Sequence, residues 1–296
     1  MPRLSLLINA RAGAASSEDP DDLRDALVEA ARWAEVRVHA VEDDPAKAAR
    51  DALDADQPDF IAVAGGDGTA RGAAEALAAA QSTAALIPLP LGTANMLPRR
   101  LYGSRDARTV LEEAEEFETR PLHAGECGGR LFFIAAIAGF PVMFGEAREA
   151  VREGAGGMSD ALRSSRAAFA SMFKRRLRLA EPGERKAFAV ASAALFAPGG
   201  VEAVTGGPPL DAGPAQLECL HVRLRDPGQM ASVTLAAMMD RWREHDAVHR
   251  RWVDGAELRG GGKESLMLDG EPLRLEAPVR FTFQENALTV LAAPDG

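Results

Sequence analysis

The run Phe60-Ile61-Ala62-Val63-Ala64, followed at once by Gly65-Gly66-Asp67-Gly68-Thr69, constrains the fold more than any other part of the chain. Five apolar residues between Pro58-Asp59 and a pair of glycines read as a strand buried on both faces. Thr69 to Ala80 then reads as an alanine-rich helix. A buried strand that turns through glycines into a helix is the repeating unit of a parallel sheet, because the chain must cross back before the next parallel strand. The flanking sequence keeps that rhythm. Leu4 to Ile8 is a buried strand. Asp21 to Trp33 has helical spacing, with Leu23, Ala26, Leu27 and Ala30 on one face. Val36 to Val38 is a short strand, a helix runs from Asp44-Pro45 through about Leu53, and Ala85 to Leu89 is a further strand.

The remainder follows a different pattern. Leu131 to Ala138, Phe188 to Phe196, Leu217 to Leu224, Leu266 to Leu268, Leu273 to Leu275, Val279 to Phe283 and Leu288 to Leu291 are short apolar runs separated by turn residues such as Pro198-Gly199-Gly200 and Gly206-Gly207-Pro208-Pro209. They predict antiparallel strands. Two helical inserts interrupt them, Ser159 to Leu179 and Ser232 to Trp252, the second packed to the sheet by Trp242 and Trp252. Cys127-Gly128-Gly129-Arg130 reads as a hairpin turn near a domain boundary. The expected fold is α/β: an N-terminal parallel-sheet nucleotide-binding domain over residues 1–125, to which a last strand at about 285–296 can return, and a mostly antiparallel, β-sandwich-like second domain over 126–284.

Three loops of small and polar residues follow strands of the parallel sheet. Ligands of such sheets bind beyond the carboxyl ends of the strands. Gly65 to Thr69 lets the backbone approach a phosphate closely, with the amides of the following helix favouring an anion. Asp67 would repel a phosphate directly, so its use is through Mg²⁺, a ribose or a donor group. Leu91-Gly92-Thr93-Ala94-Asn95 offers Thr93 and Asn95 as donors. Asn9-Ala10-Arg11-Ala12-Gly13 adds a guanidinium for phosphates. Neither GxxxxGK[ST] nor GxGxxG is matched, which disfavours a Walker ATPase or a Rossmann dehydrogenase. In the second domain, Leu268-Asp269-Gly270-Glu271 is open to two readings, a hairpin turn and a pair of carboxylates that could serve an alcohol nucleophile as general base.

A formal net charge of −10 disfavours nucleic acid as a partner. The two cysteines, Cys127 and Cys219, form no ligand pattern and read as small core residues in a reducing compartment. His221, His245 and His249 do not make an HExxH site, although His245 and His249 would share a helix face. With no targeting signal and no membrane-spanning run, a soluble cytoplasmic protein is expected. Arg163, Arg166, Lys174, Arg175, Arg176 and Arg178, interleaved with Leu162, Phe169, Met172, Phe173 and Leu177, could form a basic amphipathic helix at the inner face of an anionic membrane.

Taken in order and spacing, Asn9 to Gly13, Gly65 to Thr69, Gly92-Thr93-Ala94-Asn95 and the late Asp269-Gly270-Glu271 resemble the diacylglycerol kinase catalytic-domain family, which includes bacterial lipid kinases and sphingosine and ceramide kinases. The glycine–aspartate motif is shared with NAD kinases and 6-phosphofructokinases; the other elements narrow it to lipid kinases. The resemblance implies two domains with the active site between them, and transfer of the ATP γ-phosphate to the hydroxyl of diacylglycerol or a related lipid alcohol with Mg²⁺. Carried over by position, it implies that Asn9, Ala10, Arg11, Ala12, Gly13, Gly65, Gly66, Asp67, Gly68, Thr69, Thr93 and Asn95 hold ATP. It makes Glu271 the proton acceptor, with Asp269 beside it and Asp67 as the third catalytic acid. Arg71 and Gly72 stand where the family often carries Asn and Glu. Of a metal-binding stretch in its second domain, only Glu218 remains as an acid. A sugar-phosphate or NAD kinase and a weakly catalytic binding homologue are the alternatives, and the oligomeric state is open, a homodimer included.

Overall fold

A computed structural model describes residues 2–11, 19–33, 35–139, 176–200, 213–226, 228–229, 232–233 and 245–294. The chain divides into two compact units. The first contains Met1–Ala124 and Gln284–Gly296, the second Gly125–Val201 and Pro214–Phe283.

The first unit is a parallel sheet with helical crossovers. Strands β1 (Arg3–Ile8), β2 (Glu35–Ala40), β3 (Phe60–Gly65) and β4 (Ala85–Pro90) alternate with helices α1 (Pro20–Ala30), α2 (Pro45–Asp56) and α3 (Asp67–Ala79). The sheet order β2-β1-β3-β4 continues into β16 (Val279–Ala292), whose Thr289 and Val290 pair in parallel with Ala85 and Leu86. The central strands β1, β3 and β4 are buried almost end to end, with Leu6, Leu7, Ile61, Ala62, Leu86 and Ile87 inaccessible to solvent. Burial on both faces is what removes alternation from their sequences. α1 and α2 begin at Asp19 and Asp44, each with a side-chain cap and a proline in the first turn. After β4 come α4 (Met96–Tyr102) and α5 (Ala107–Glu112), the latter capped by Asp106.

β16 also ties β5 (Glu118–Cys127) and α4 into this unit over long sequence distances. β5 pairs with β16. His123 Nδ1 accepts from the Asn286 amide at 3.0 Å. The buried Tyr102 hydroxyl donates to the Leu291 carbonyl at 2.9 Å, and burial holds its phenol well above the usual range.

The second unit is built of antiparallel strands. One sheet has the order β12-β11-β10-β7-β14-β15, from β12 (Val248–Val253), β11 (Leu217–Val222), β10 (Ala193–Pro198), β7 (Ala136–Gly139), β14 (Lys263–Leu268) and β15 (Glu271–Glu276). β13 (Gly255–Arg259) pairs with the first residues of β16 and with β8 (Leu177–Ala180), which pairs with β9 (Ala189–Ala191). Its core gathers Phe132, Phe196, Leu217, Leu258, Leu266 and Phe281, with Phe196 stacked on Phe281 at 4.1 Å between ring centroids. Cys127 and Cys219 lie in this core, and burial pushes both thiols up to about 12. They are the inert core residues the sequence suggested.

Several sequence expectations change. Leu131 to Ala138 is two strands: β6 (Arg130–Phe132), hairpin partner of β5 across Gly128-Gly129, and then β7. Phe188 to Phe196 is also divided, because Ser192 ends β9 and lets β10 join the other sheet. The two last apolar runs are one strand, β16, which continues through Asn286 at φ 49°. The insert expected over Ser232 to Trp252 ends in a strand, so His249 and Trp252 lie on β12, and His245 and His249 share no helix face. β12 keeps its place through backbone pairing with β11, which local composition does not reveal. Leu177 to Leu179 likewise belongs to β8, and most of the basic stretch Arg163 to Arg178 lies outside the described residues, as do Gly206 to Pro209 and Trp242. No helix among the described residues is long and apolar enough to cross a membrane.

Candidate functional site

The loops after β1, β3 and β4 leave neighbouring strands on the same edge of the first unit's sheet, and side chains lock them together. Asn9 follows β1. Its backbone N–H donates to the Ala64 carbonyl at 2.8 Å, and its side-chain Nδ2 donates to Thr69 Oγ1 at 2.9 Å. Its Oδ1 accepts from the Arg11 amide at 3.1 Å. Asn9 therefore ties the first loop to the second and turns the first loop back on itself.

The second and third loops meet through backbone and carboxylate. Asp67 opens α3, and its Oδ1 accepts from the Met96 amide at 2.7 Å, the first residue of α4. Gly92 donates its N–H to Asn95 Oδ1 at 2.7 Å, which fixes Asn95 in a left-handed conformation at φ 50°. The loops pack so closely that a Cβ on Gly92 would stand 2.7 Å from the Cα of Gly66. A Cβ on Gly65 would similarly meet the Thr69 side chain at 2.7 Å. Only glycine satisfies both approaches.

The helix starts differ in a way that matters for an anion. α1, α2 and α5 are each capped by an aspartate side chain, whereas α3 begins at Gly66 with no side-chain cap. The positive end of a thirteen-residue helix thus opens onto a glycine-rich loop. Among the residues expected around it, Thr93 is exposed and Thr69 is buried. Arg11 is exposed and its guanidinium is 2.7 Å from Asp43. Ala12 and Gly13 lie outside the described residues. Arg71 is buried on α3 with Glu75 3.9 Å away, and Gly72 faces Pro45 at the start of α2.

The remaining predicted residues lie in the second unit. Asp269 and Gly270, at φ 46° and 87°, form the two-residue turn between β14 and β15, with Leu268 opposite Glu271. The Asp-Gly pair does make the tight hairpin its sequence favours. Asp269 also reaches across to the β6–β7 crossover. Its Oδ2 accepts from the Phe133 amide at 2.7 Å, and its Oδ1 from the Ile134 and Ala135 amides, both at 2.9 Å. Glu271 is half-buried at the start of β15. Glu218 is buried with the Arg250 Nε 2.5 Å from its carboxylate, and the Arg250 guanidinium lies over Trp252 at 5.1 Å. Among the described residues no three metal-ligating side chains cluster.

Sequence reasoning missed two titratable clusters. In the first unit the nearly buried Asp56 receives Ser5 Oγ at 2.8 Å, His39 Nε2 at 2.6 Å and Arg37 Nη1 at 2.9 Å. Burial pushes its carboxyl up, but the hydrogen bonds from His39, Ser5 and Arg37 outweigh that and hold it below the ordinary value. In the second unit His221 and His249 face each other across β11 and β12 at 5.4 Å between centroids. Burial, the neighbouring His249 and Arg251 lower the His221 imidazole below its ordinary value. No sequence spacing signals either cluster, because each forms only when strands pair.

Comparison with known proteins places residues 3–127 on the model of the diacylglycerol kinase catalytic domain. A "Probable lipid kinase YegS-like" from Pseudomonas syringae pv. syringae is 37% identical over 123 residues, which are 40% of this chain and 40% of that protein. A protein of the same name from Pseudomonas aeruginosa is 38% identical over 112 residues, 38% of this chain and 36% of its own length. The matched stretch thus spans about two-fifths of these curated relatives. The crystal structure of a diacylglycerol kinase from Bacillus anthracis str. Sterne superimposes with a TM-score of 0.71 at 17% identity, over 99% of this chain and 98% of that one. At that identity the likeness is one of fold.

Proposed function

We propose, from the match of residues 3–127 to the diacylglycerol kinase catalytic domain, that this chain is a kinase that transfers the γ-phosphate of ATP to the hydroxyl of diacylglycerol or a related lipid alcohol. One observation carries the nucleotide half of the reading: three interlocked loops at the carboxyl edge of a parallel sheet surround the uncapped, glycine-rich start of α3. Phosphoryl transfer asks a protein mainly for positioning and charge neutralisation; the interlocked loops support the first, and the uncapped start of α3 contributes in part to the second.

In this reading the Gly65–Gly68 backbone and the α3 amides receive the phosphates, and Asn9 holds Thr69 and the first loop in register with them. Thr93, exposed on the third loop, donates to the nucleotide, and Asn95 holds that loop through Gly92. Mg²⁺ would neutralise the phosphate charge. It would be held chiefly by phosphate oxygens, with Asp67 as the carboxylate of the three loops that can reach it. Glu271 takes the proton from the lipid hydroxyl as it attacks phosphorus. The basic stretch Arg163 to Arg178 would hold the enzyme to anionic lipid from the cytoplasmic side.

The test is transfer of label from γ-labelled ATP with Mg²⁺ to a panel of diacylglycerol, sphingosine and ceramide in mixed micelles, with NAD and sugar phosphates alongside. Label in the lipid phase is the expected result. Label in NAD or a sugar phosphate, or ATP binding without any transfer, would overturn the lipid-kinase reading.

A further inference from the structure

Asp269 belongs to the hairpin turn that presents Glu271, yet its carboxylate faces the protein's own backbone. It accepts three amides, Phe133, Ile134 and Ala135, at 2.7 to 2.9 Å, and its own N–H donates to the Ala135 carbonyl at 2.9 Å. One residue thus makes four hydrogen bonds to the segment that carries the chain from β6 to β7. That segment carries the chain from one sheet to another, since β6 pairs with β5 and β7 with β10 and β14. Its side chains Phe133 and Ile134 are 1% exposed, so its amides have no access to water and need an internal acceptor.

A proton acceptor for an alcohol must turn an oxygen lone pair toward that alcohol. Both oxygens of Asp269 are committed to backbone donors, and the residue is 8% exposed. Backbone amides only donate, so a proton on Oδ1, which already takes two of them, would set donor against donor, and a neutral carboxyl would weaken all three bonds. Resting on the kinase reading above, we propose that Asp269 is a positioning residue: it anchors the turn to residues 133–135 and thereby fixes where Glu271 stands, without itself exchanging a proton with substrate. The two-residue turn is well suited to this. Leu268 and Glu271 are register partners on either side of it, so holding Asp269 leaves the first residue of β15 little freedom.

The test compares Asp269→Asn and Glu271→Gln with the wild type, by pH dependence of kcat/KM for lipid and by amide hydrogen exchange. Asp269→Asn keeps the shape but sets an NH₂ group against backbone donors. It should lower kcat by about 10²-fold, the scale of a roughly 1 Å misplacement, leave KM for ATP within about twofold, and keep the acidic limb of the profile where the wild type has it. Glu271→Gln should remove that limb. The amides of residues 133–135 should be strongly protected in the wild type and lose protection selectively in Asp269→Asn. An acidic limb lost in Asp269→Asn but kept in Glu271→Gln would overturn the proposal. So would rapid exchange of 133–135 in the wild type, a result that does not depend on any variant folding. A wild type that transfers phosphate to no lipid would remove the kinase reading, and exchange alone would then decide whether Asp269 is the anchor.

Discussion

The side-chain amide of Asn9 donates to the hydroxyl of Thr69 at 2.9 Å, joining two loops that are 60 residues apart in sequence. With its nitrogen on Thr69 and its oxygen on the Arg11 amide, Asn9 acts as a strut between the first and second loops. Asn9→Ala should weaken ATP binding by about tenfold while costing stability only about 1–2 kcal/mol, the net value of losing one part-buried and one exposed hydrogen bond. Titration calorimetry with ATP and urea denaturation would separate the two effects; an affinity unchanged within twofold would argue against the strut.

Gly92 and Gly66 offer a sharper test of the interlock. A methyl group on Gly92 would sit 2.7 Å from the Gly66 Cα, and backbone rather than a flexible side chain would have to move. Gly92→Ala should cost about 1–3 kcal/mol as overpacking and reduce ATP affinity more than tenfold by displacing the start of α3. The control is Gly103→Ala: that glycine also turns a loop, but nothing lies within 4 Å of its would-be Cβ, so any loss there reflects its φ of 66° alone and should spare ATP binding.

Asp56 makes acid stability depend on the first unit's edge. Its folded carboxyl is held below its ordinary value of 3.8, so its contribution is fully present above that value and is lost as pH falls through the lower, folded one. Asp56→Asn should therefore destabilise at neutral pH, by about 2–4 kcal/mol for breaking a buried charged network. The gap between variant and wild type should narrow as pH falls below about 3.8 and through the lower, folded value. Urea midpoints from pH 7 down to 2.5 measure this, and a gap independent of pH would refute the charge-based account.

His221 acts in a higher pH range. Burial, and then its neighbours His249 and Arg251, disfavour the imidazolium in the folded protein. The unfolded chain takes up the proton first, so stability is full above about pH 6.5 and declines as pH falls below it. His221→Phe should flatten that decline in Tm between about pH 7 and 5. An equally steep decline in the variant would exonerate His221.

What was legible in the sequence was local. Phe60 to Thr69 announces its strand, turn and helix because apolar run, glycines and helix former are contiguous, and Asp269-Gly270 announces its turn because a left-handed pair needs those residues. What was hidden depends on distant partners. Val248 to Val253 contains His249, Arg250 and Arg251 and looks helical until β11 supplies its ladder. Gln284, Glu285 and Asn286 interrupt the apolar pattern of β16, yet the strand continues through them. Asp56 was one acid among many on a charged helix, and only the pairing of β1 with β2 brings Ser5, Arg37 and His39 to it.

The pairing of β16 with β4 bears on the order of synthesis. β4 finds its second parallel neighbour only in Thr289 and Val290, and Tyr102 finds its acceptor only in Leu291. As the chain emerges, the first 127 residues therefore carry an unsatisfied sheet edge and a buried hydroxyl without its carbonyl until residues 289–291 have been made. A gene fragment cut at the end of the kinase-domain match would inherit that open edge for good, and its aggregation would say nothing about whether the loops can hold a nucleotide.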